Sequence, residues 1–161
     1  PHFSEKIGHS PAEVFTGVWR ALKPGGRFVA ECGGDGNVAT LVWALETALA
    51  RRGIAATGLN PWVFMSRDEC HRLLTRAGFA VATSELFPRP TPLPTGVAGW
   101  VETFAQSYLG TVPPGQRADL IAEVVELCRP TLFAPGDGAA GSWTADYVRL
   151  RFRALKLGAG R

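Results

Sequence analysis

The sequence predicts an α/β domain, because segments with helical periodicity alternate with short β-rich segments. The segments that predict strands are 27–32, 79–87 and 143–155. Helical segments precede the first strand and lie between each strand and the next. The chain has 161 residues, of which 46% are apolar and 19% charged. This composition suits one globular domain or part of one.

The first helix is predicted to begin at Ser10, since Ser10 and Glu13 form a capping box and Pro11 suits the first turn. Its apolar residues recur at helical spacing: Val14, Phe15, Val18, Trp19 and Leu22. The sequence Lys-Pro-Gly-Gly at 23–26 ends this helix, and the strand 27–32 (RFVAEC) follows.

Two more helices are predicted before the second strand. One follows the turn 33–37 (GGDGN), and the other begins at a capping box of Ser66 and Glu69 and ends at Gly78. The apolar positions are Val38, Leu41, Val42, Leu45, Ala48 and Leu49 in the first, and Cys70, Leu73, Leu74 and Ala77 in the second. The strand 79–87 (FAVATSELF) comes next.

The segment between the second and third strands predicts a helical insertion. Residues 88–96 carry four prolines and are expected to form a linker or the base of a lid that joins no strand ladder. One amphipathic helix is then marked by Val97, Trp100, Val101, Phe104 and Leu109, and another by Leu120, Ile121, Val124, Val125 and Cys128. The strand 143–155 alternates apolar residues with Arg149, Arg151 and Arg153, which predicts one buried and one polar face.

Composition also excludes several classes of protein. The net charge of +3 comes from scattered basic residues, which argues against a nucleic-acid partner. Because no apolar run is long enough for a membrane helix and the start lacks a signal-peptide profile, a cytoplasmic protein without a membrane partner is expected. The three cysteines are predicted to be free thiols, and the isolated His2, His9 and His71 predict neither a catalytic triad nor a metal site.

A family resemblance begins at the sequence LKPGGRFV, residues 22–29, between a helix and a strand. This motif resembles the one before the fifth strand of class I S-adenosylmethionine-dependent methyltransferases. With ECGGDGN (31–37), NPWVF (60–64), ELFPRPTPL (85–93) and WTADYVRLRF (143–152), the chain resembles the trans-aconitate 2-methyltransferase-like branch from about Val14 onward.

The resemblance implies the carboxyl-terminal half of a Rossmann-like methyltransferase sheet. It implies three strands, with the last inserted antiparallel between the other two, helices on both faces and a two-helix insertion. Residues 12–87 and 143–155 would form the core of a single partial domain, 1–161, and residues 88–142 a helical cap. S-adenosylmethionine would be bound by an upstream half, so no cofactor-binding residue is expected in this chain.

The turn 33–37 also follows a strand and precedes a helix, as a nucleotide-binding loop would. Its glycines do not match G-x-G-x-x-G, and no acidic residue follows about 20 positions later. The preferred interpretation places this turn in the wall of a reaction pocket, at the carboxyl end of a strand.

The candidate site residues follow from these placements. Glu31 is the candidate catalytic base, if one is needed. The candidate substrate-pocket residues are Gly33, Asn37, Asn60, Trp62, Phe64, Arg89, Trp100 and Phe104. The aromatic candidates and Arg89 have alternatives: the aromatic residues cover the core instead of lining a cleft, and Arg89 is solvated instead of pairing with a substrate carboxylate.

The expected function is the substrate side of a methyltransferase acting on a small molecule, incomplete for catalysis by itself. The alternative is a non-catalytic binding or interaction module derived from that half. The expected macromolecular partner is the missing amino-terminal half or a second copy of the chain, joined through the strand 27–32, which lacks the features that protect edge strands.

Overall fold

The computed structural model of the chain describes residues 10–136 and 141–158. His2 and His9 therefore lie outside the described residues. The helices are α1 (Pro11–Ala21), α2 (Ala39–Ala50), α3 (Arg67–Arg76), α4 (Gly96–Phe104), α5 (Gln106–Leu109) and α6 (Arg117–Leu132). The strands are β1 (Arg27–Gly33), β2 (Ala80–Pro88), β3 (Thr91–Pro92), β4 (Phe133–Ala134), β5 (Ser142–Ala145) and β6 (Val148–Leu155).

The main sheet has the order β1-β6-β2, and β6 is antiparallel to both of its neighbours. Phe152 of β6 pairs with Ala30 on one side and Ser84 on the other, so the register of the three strands is continuous there. The predicted fold class, an α/β fold whose last strand lies antiparallel between the other two, is confirmed.

The prediction of one continuous strand over 143–155 is wrong. The chain forms β5, breaks at Asp146 and Tyr147, and resumes as β6 in a different sheet. β5 lies at the centre of a second small sheet with the order β3-β5-β4. The break occurs because the backbone carbonyl of Asp146 accepts from Val38 N–H, 3.1 Å away, and its carboxylate accepts from Thr40 N–H. Asp146 is thereby engaged at the start of α2.

The proline-rich segment 88–96 was expected to stay outside any strand ladder, and this is wrong at two places. Pro88 ends β2, where it pairs with Val148, and Thr91 and Pro92 also join a ladder. These two residues form β3, which pairs with β5 as an edge strand. Proline is tolerated at an edge, where its missing N–H is not needed by a neighbour.

The amphipathic segment 97–109 was expected to form one helix and instead forms α4 and α5. The break lies at Ala105, whose φ of −104° and ψ of 32° leave the helical region. This turn buries Tyr108 and Leu109 against the same core as α4. Tertiary packing therefore overrides the helical period at this position.

The helices α1 and α3 cover one face of the main sheet. Phe15 of α1 meets Phe28 and Phe152 edge-on, with ring centroids 5.9 and 5.7 Å apart. The reciprocal capping box at Ser10 and Glu13 is present, as predicted, and fixes the start of α1. A second core joins α2, the helix after the turn 33–37, to α4, α5 and α6. The last three helices lie in the segment that was expected to form the cap.

The opposite face of the main sheet carries charged residues on β1 and β6. Val29 on this face is 58% exposed. Helices were predicted on both faces of the sheet. Among the described residues, the helical layer that lies against the sheet is the one formed by α1 and α3. Within 10–136 and 141–158, no helix is long and apolar enough to cross a membrane.

Candidate functional site

The charged face of the main sheet carries a cluster of one carboxylate and three guanidinium groups. Glu31 of β1 lies opposite Arg151 of β6 in the strand register. Its Oε2 accepts from Arg151 Nε and Nη2 at 2.9 and 2.7 Å. Its Oε1 accepts from Arg149 Nε at 3.1 Å and from Arg89 Nη1 at 2.7 Å. These four residues are called the arginine cluster below.

The three arginines of the cluster lower the basicity of Glu31. Hydrogen bonds from Arg151 and then Arg149 hold the pKa of this carboxyl below its usual range, more than its partial desolvation raises it. A carboxylate that is held ionised by three cations is a weaker proton acceptor than a free one. The geometry therefore favours a role for Glu31 in positioning the arginines, and its role as a base stays an untested prediction.

An open depression of about 380 Å³ adjoins the arginine cluster, where β2 ends and β6 begins. It is lined by Arg89, Pro90, Thr91, Pro92, Tyr147 and Arg149. The sequence singled out Arg89 in this group, and the structure shows it paired with Glu31. Arg149, Arg151 and Tyr147 were not among the candidates. The alternation of arginines along β6 was visible, but their nearness to Glu31 depends on strand order.

The predicted aromatic candidates lie together. Trp62 stacks on Phe64 with ring centroids 6.1 Å apart and meets Trp100 at 5.6 Å, and Trp100 meets Phe104 at 5.5 Å. Trp100 is 5% exposed and Phe104 is 51% exposed. Trp100 is therefore a core residue, whereas Trp62 and Phe64 are half-buried and both of their interpretations stay open.

Trp100 connects this aromatic group to the depression. Its Nε1–H donates to the hydroxyl of Tyr147 at 2.9 Å. Tyr147 lies in the break between β5 and β6, so the bond joins α4 to the edge of the main sheet. The two groups of candidate residues are thus neighbours.

Tyr108 of α5 is a further polar residue that the sequence did not point to. Its ring stacks on Trp62 at 6.4 Å, and its hydroxyl is buried with no hydrogen-bond partner among the described residues. Burial raises its pKa to about 12, so the hydroxyl is neutral at physiological pH. In the sequence, the position of Tyr108 in the helical pattern is that of an ordinary core residue, so nothing there indicates a functional hydroxyl.

The turn 33–37 is held by its own protein contacts. The amides of Gly34, Asp35 and Asn37 donate to the carbonyls of Val148, Met65 and Gly34. The Oδ1 atom of Asn37, which is 6% exposed, accepts from Val148 N–H at 2.9 Å. Because these three amides are engaged, the turn does not present them to a phosphate group. None of its residues lines the depression, so its place in the wall of a reaction pocket stays a prediction.

Two other candidates have local structural roles. Gly33 lies so close to Phe64 that a Cβ atom would come within 2.7 Å of the ring. Asn60 Oδ1 accepts from Trp62 N–H at 2.9 Å, which shapes the loop before α3. Both residues position aromatic side chains, and neither faces the depression.

The cysteines are free thiols, as predicted. Cys70 and Cys128 are buried, which raises their pKa values to about 11 and about 12 and makes them unreactive. Across the part of the chain that the structure describes, no group of three or more His, Cys, Asp or Glu side chains is placed to hold a metal ion.

Comparison with known proteins finds similarity to a protein of fission yeast. No protein-family model matches the chain. A protein of Schizosaccharomyces pombe, described as an uncharacterized methyltransferase, is 40% identical over 146 residues, which are 89% of this chain and 54% of that protein. The chain is therefore homologous to this uncharacterized methyltransferase and spans about half of its length.

Two solved structures are similar at low identity. One is a candidate methyltransferase from Bacillus halodurans, with a TM-score of 0.45 and 16% identity, covering 91% of this chain and 58% of the other. The second is a candidate sarcosine dimethylglycine methyltransferase from Galdieria sulphuraria, with a TM-score of 0.36 and 12% identity, covering 93% and 49%.

Proposed function

We propose that this chain is the substrate-side, carboxyl-terminal half of an S-adenosylmethionine-dependent methyltransferase of the trans-aconitate 2-methyltransferase-like branch. In this proposal the whole enzyme methylates a small molecule in the cytoplasm. The observation that carries it is the 40% identity, over 89% of the chain, to the uncharacterized methyltransferase of Schizosaccharomyces pombe, of which the chain spans 54%.

The sheet topology supports the same proposal. The antiparallel position of β6 between β1 and β2 is the arrangement that the resemblance implies for the end of such a sheet. The carboxyl end of β1 and the end of β2 then meet at one edge, where ligands of α/β sheets bind. The arginine cluster and the depression lie at this edge. We assign residues 88–142 to the cap over it.

The turn 33–37, the candidate cofactor loop among the described residues, does not fit the cofactor. The amides of Gly34, Asp35 and Asn37 donate to protein carbonyls, and the side chain of Asn37 accepts from Val148 N–H. S-adenosylmethionine, when bound by the upstream half, would supply an electrophilic methyl group. The residues of this chain would bind and orient the acceptor molecule and exclude water from it.

The free edge of β1 supports a partner in this proposal. Among the described strands, β1 pairs with β6 alone, and its other side meets the chain in a single bridge between Gly34 and Met65. An edge strand with unpaired donors and acceptors is a template for another strand. We assign this edge to the upstream half, with a second copy of the chain as the substitute when that half is absent.

Calorimetric titration with S-adenosylmethionine tests the division into halves. The chain alone is expected to show weak or no binding. Coexpression with the residues encoded upstream is expected to give a complex that binds S-adenosylmethionine with a dissociation constant in the low micromolar range, which is a binding free energy of about −8 kcal/mol. Tight binding by the chain alone would overturn the division, because the cofactor would then be held by residues described here.

Formation of S-adenosylhomocysteine, measured with a panel of small-molecule acceptors, tests the activity of the combined halves. A product that depends on one acceptor supports a small-molecule methyltransferase. If the combined halves bind the cofactor but methylate none of the acceptors, the non-catalytic binding module becomes the better description. Cell fractionation tests the proposed cytoplasmic location.

A further inference from the structure

The arginine cluster has more positive charge than its single carboxylate neutralises. Three guanidinium groups, from Arg89, Arg149 and Arg151, contact Glu31, which leaves an excess of two positive charges. Arg151 is well satisfied, because two of its nitrogens bind Glu31 Oε2 and its guanidinium lies 5.0 Å from the centre of the Phe87 ring. The excess charge therefore lies toward Arg89 and Arg149.

Arg89 and Arg149 each use only one nitrogen on Glu31. Arg149 binds through Nε and Arg89 through Nη1, both to Oε1. For their other side-chain nitrogens, the described residues provide no acceptor within hydrogen-bond distance. Both side chains line the depression, so unused donors of two guanidinium groups border the same space.

Tyr147 adds a neutral donor to this space. Its oxygen accepts from Trp100 Nε1–H, which leaves its own hydroxyl proton available. Trp100 is a core residue and thereby fixes the position of the hydroxyl. Paired guanidinium donors with a fixed hydroxyl match the oxygens of a carboxylate or phosphate, for which arginine is well suited.

We propose that the depression binds the oxyanion group of a small ligand through Arg89, Arg149 and Tyr147, and that Glu31 sets the strength of this binding. Glu31 occupies one side of both guanidinium groups, which holds them in place and cancels part of their charge. The ligand competes with Glu31 for the same two cations. The inference rests on the proposed function in taking this ligand as the acceptor molecule.

The test is a titration of the purified protein with sodium phosphate and, separately, with sodium succinate at constant ionic strength. Binding is followed by the NMR signals of the arginine Nε–H groups. Glu31→Gln removes the competing charge and is expected to tighten binding by about fivefold to tenfold. Arg89→Gln and Arg149→Gln are each expected to weaken it by about tenfold or more.

The matched control is Arg153→Gln, on the same strand and face as Arg149. Arg153 lies opposite Val29 and is outside the lining of the depression. The Arg153→Gln variant loses the same charge as Arg149→Gln, and its dissociation constant for the anion is expected to change by less than about twofold. Circular dichroism verifies that each variant is folded, and the three arginine variants keep the test valid if Glu31→Gln does not fold.

Tighter binding of one of the two anions identifies the carboxylate or the phosphate as the group recognised. The inference is overturned if neither anion shifts the Arg149 signal, if folded Glu31→Gln binds no more tightly, or if Arg153→Gln weakens binding as much as Arg149→Gln. Anion binding without methyl transfer by the combined halves would refute the proposed function alone. Transfer to a neutral acceptor, unaffected by Arg149→Gln, would refute this inference alone.

Discussion

Replacing Asp146 tests how the start of α2 is held. Helix α2 begins after Val38, a non-glycine residue with a φ of 51°, whose apolar side chain makes no capping bond. Asp146 takes over this function, because its Oδ2 accepts from Thr40 N–H at 2.9 Å. The contact crosses 106 positions of sequence. It joins the break between β5 and β6 to the helix.

The expected cost follows from the two parts of this contact. Loss of a side-chain cap costs about 1 to 2 kcal/mol, and loss of a negative charge at a helix N-terminus about 0.5 kcal/mol more. Asp146→Ala is therefore expected to lower the free energy of unfolding by about 2 kcal/mol and the melting temperature by about 6 °C. Asp146→Asn keeps an acceptor oxygen and is expected to lose only about 0.5 kcal/mol.

Urea denaturation followed by far-ultraviolet circular dichroism measures both variants. Asp35→Ala is the control, since Asp35 is exposed in the neighbouring turn and is expected to change stability by less than about 0.5 kcal/mol. If Asp146→Ala is no more destabilising than Asp35→Ala, the capping argument is refuted. Equal losses for the alanine and asparagine variants would show that the charge, and not the hydrogen bond, dominates.

Three further predictions concern the sheet and the aromatic group. Because the pKa of Glu31 is lowered in the folded protein, the arginine cluster stabilises the fold at pH values above the ordinary carboxyl pKa and loses this effect as the pH falls. The difference in the free energy of unfolding between the parent protein and Glu31→Gln, measured by urea denaturation between about pH 3 and pH 7, should therefore shrink toward acid pH. The chain alone should self-associate through β1, and Val29→Lys should shift it toward monomer in size-exclusion chromatography with light scattering; a monomeric parent protein would contradict this. Trp62→Ala should lower stability by about 2 kcal/mol through its lost contacts with Trp100, whereas Phe104→Ala, at an exposed ring, should cost less than about 1 kcal/mol in thermal melts of both variants. A loss for Trp62→Ala no larger than that for Phe104→Ala would contradict the packing of Trp62 against the core.

Elements with strong local signals were predictable from the sequence. The capping residues Ser10 and Ser66 mark where α1 and α3 begin, and both side chains accept from the amide three positions later. These capping signals depend only on residues that are close together in the chain, so the sequence alone reveals them. The break at Ala105 has no such signal, since it arises from packing Tyr108 into a core shared with other helices.

The candidate site was predictable only in its parts. The alternation along β6 places Arg149 and Arg151 on one face, and the turn after β1 places Glu31 near a strand end. Their contact requires that β6 lie beside β1 in a register that pairs Glu31 with Arg151. That register is a long-range property, and local periodicity does not specify it. The sequence accordingly suggested Glu31 as a base and did not reveal the cations that lower its basicity.

The break that interrupts the last predicted strand is what assembles the site. At Asp146 and Tyr147 the chain leaves the small sheet and enters the main sheet, and each residue there uses its side chain on another element. Asp146 holds the start of α2, while Tyr147 accepts from Trp100 and borders the depression. A continuous strand would point these two side chains to opposite faces and give them ladder neighbours instead. The position where the period-2 pattern fails is therefore the position that connects the helical insertion to the arginine cluster.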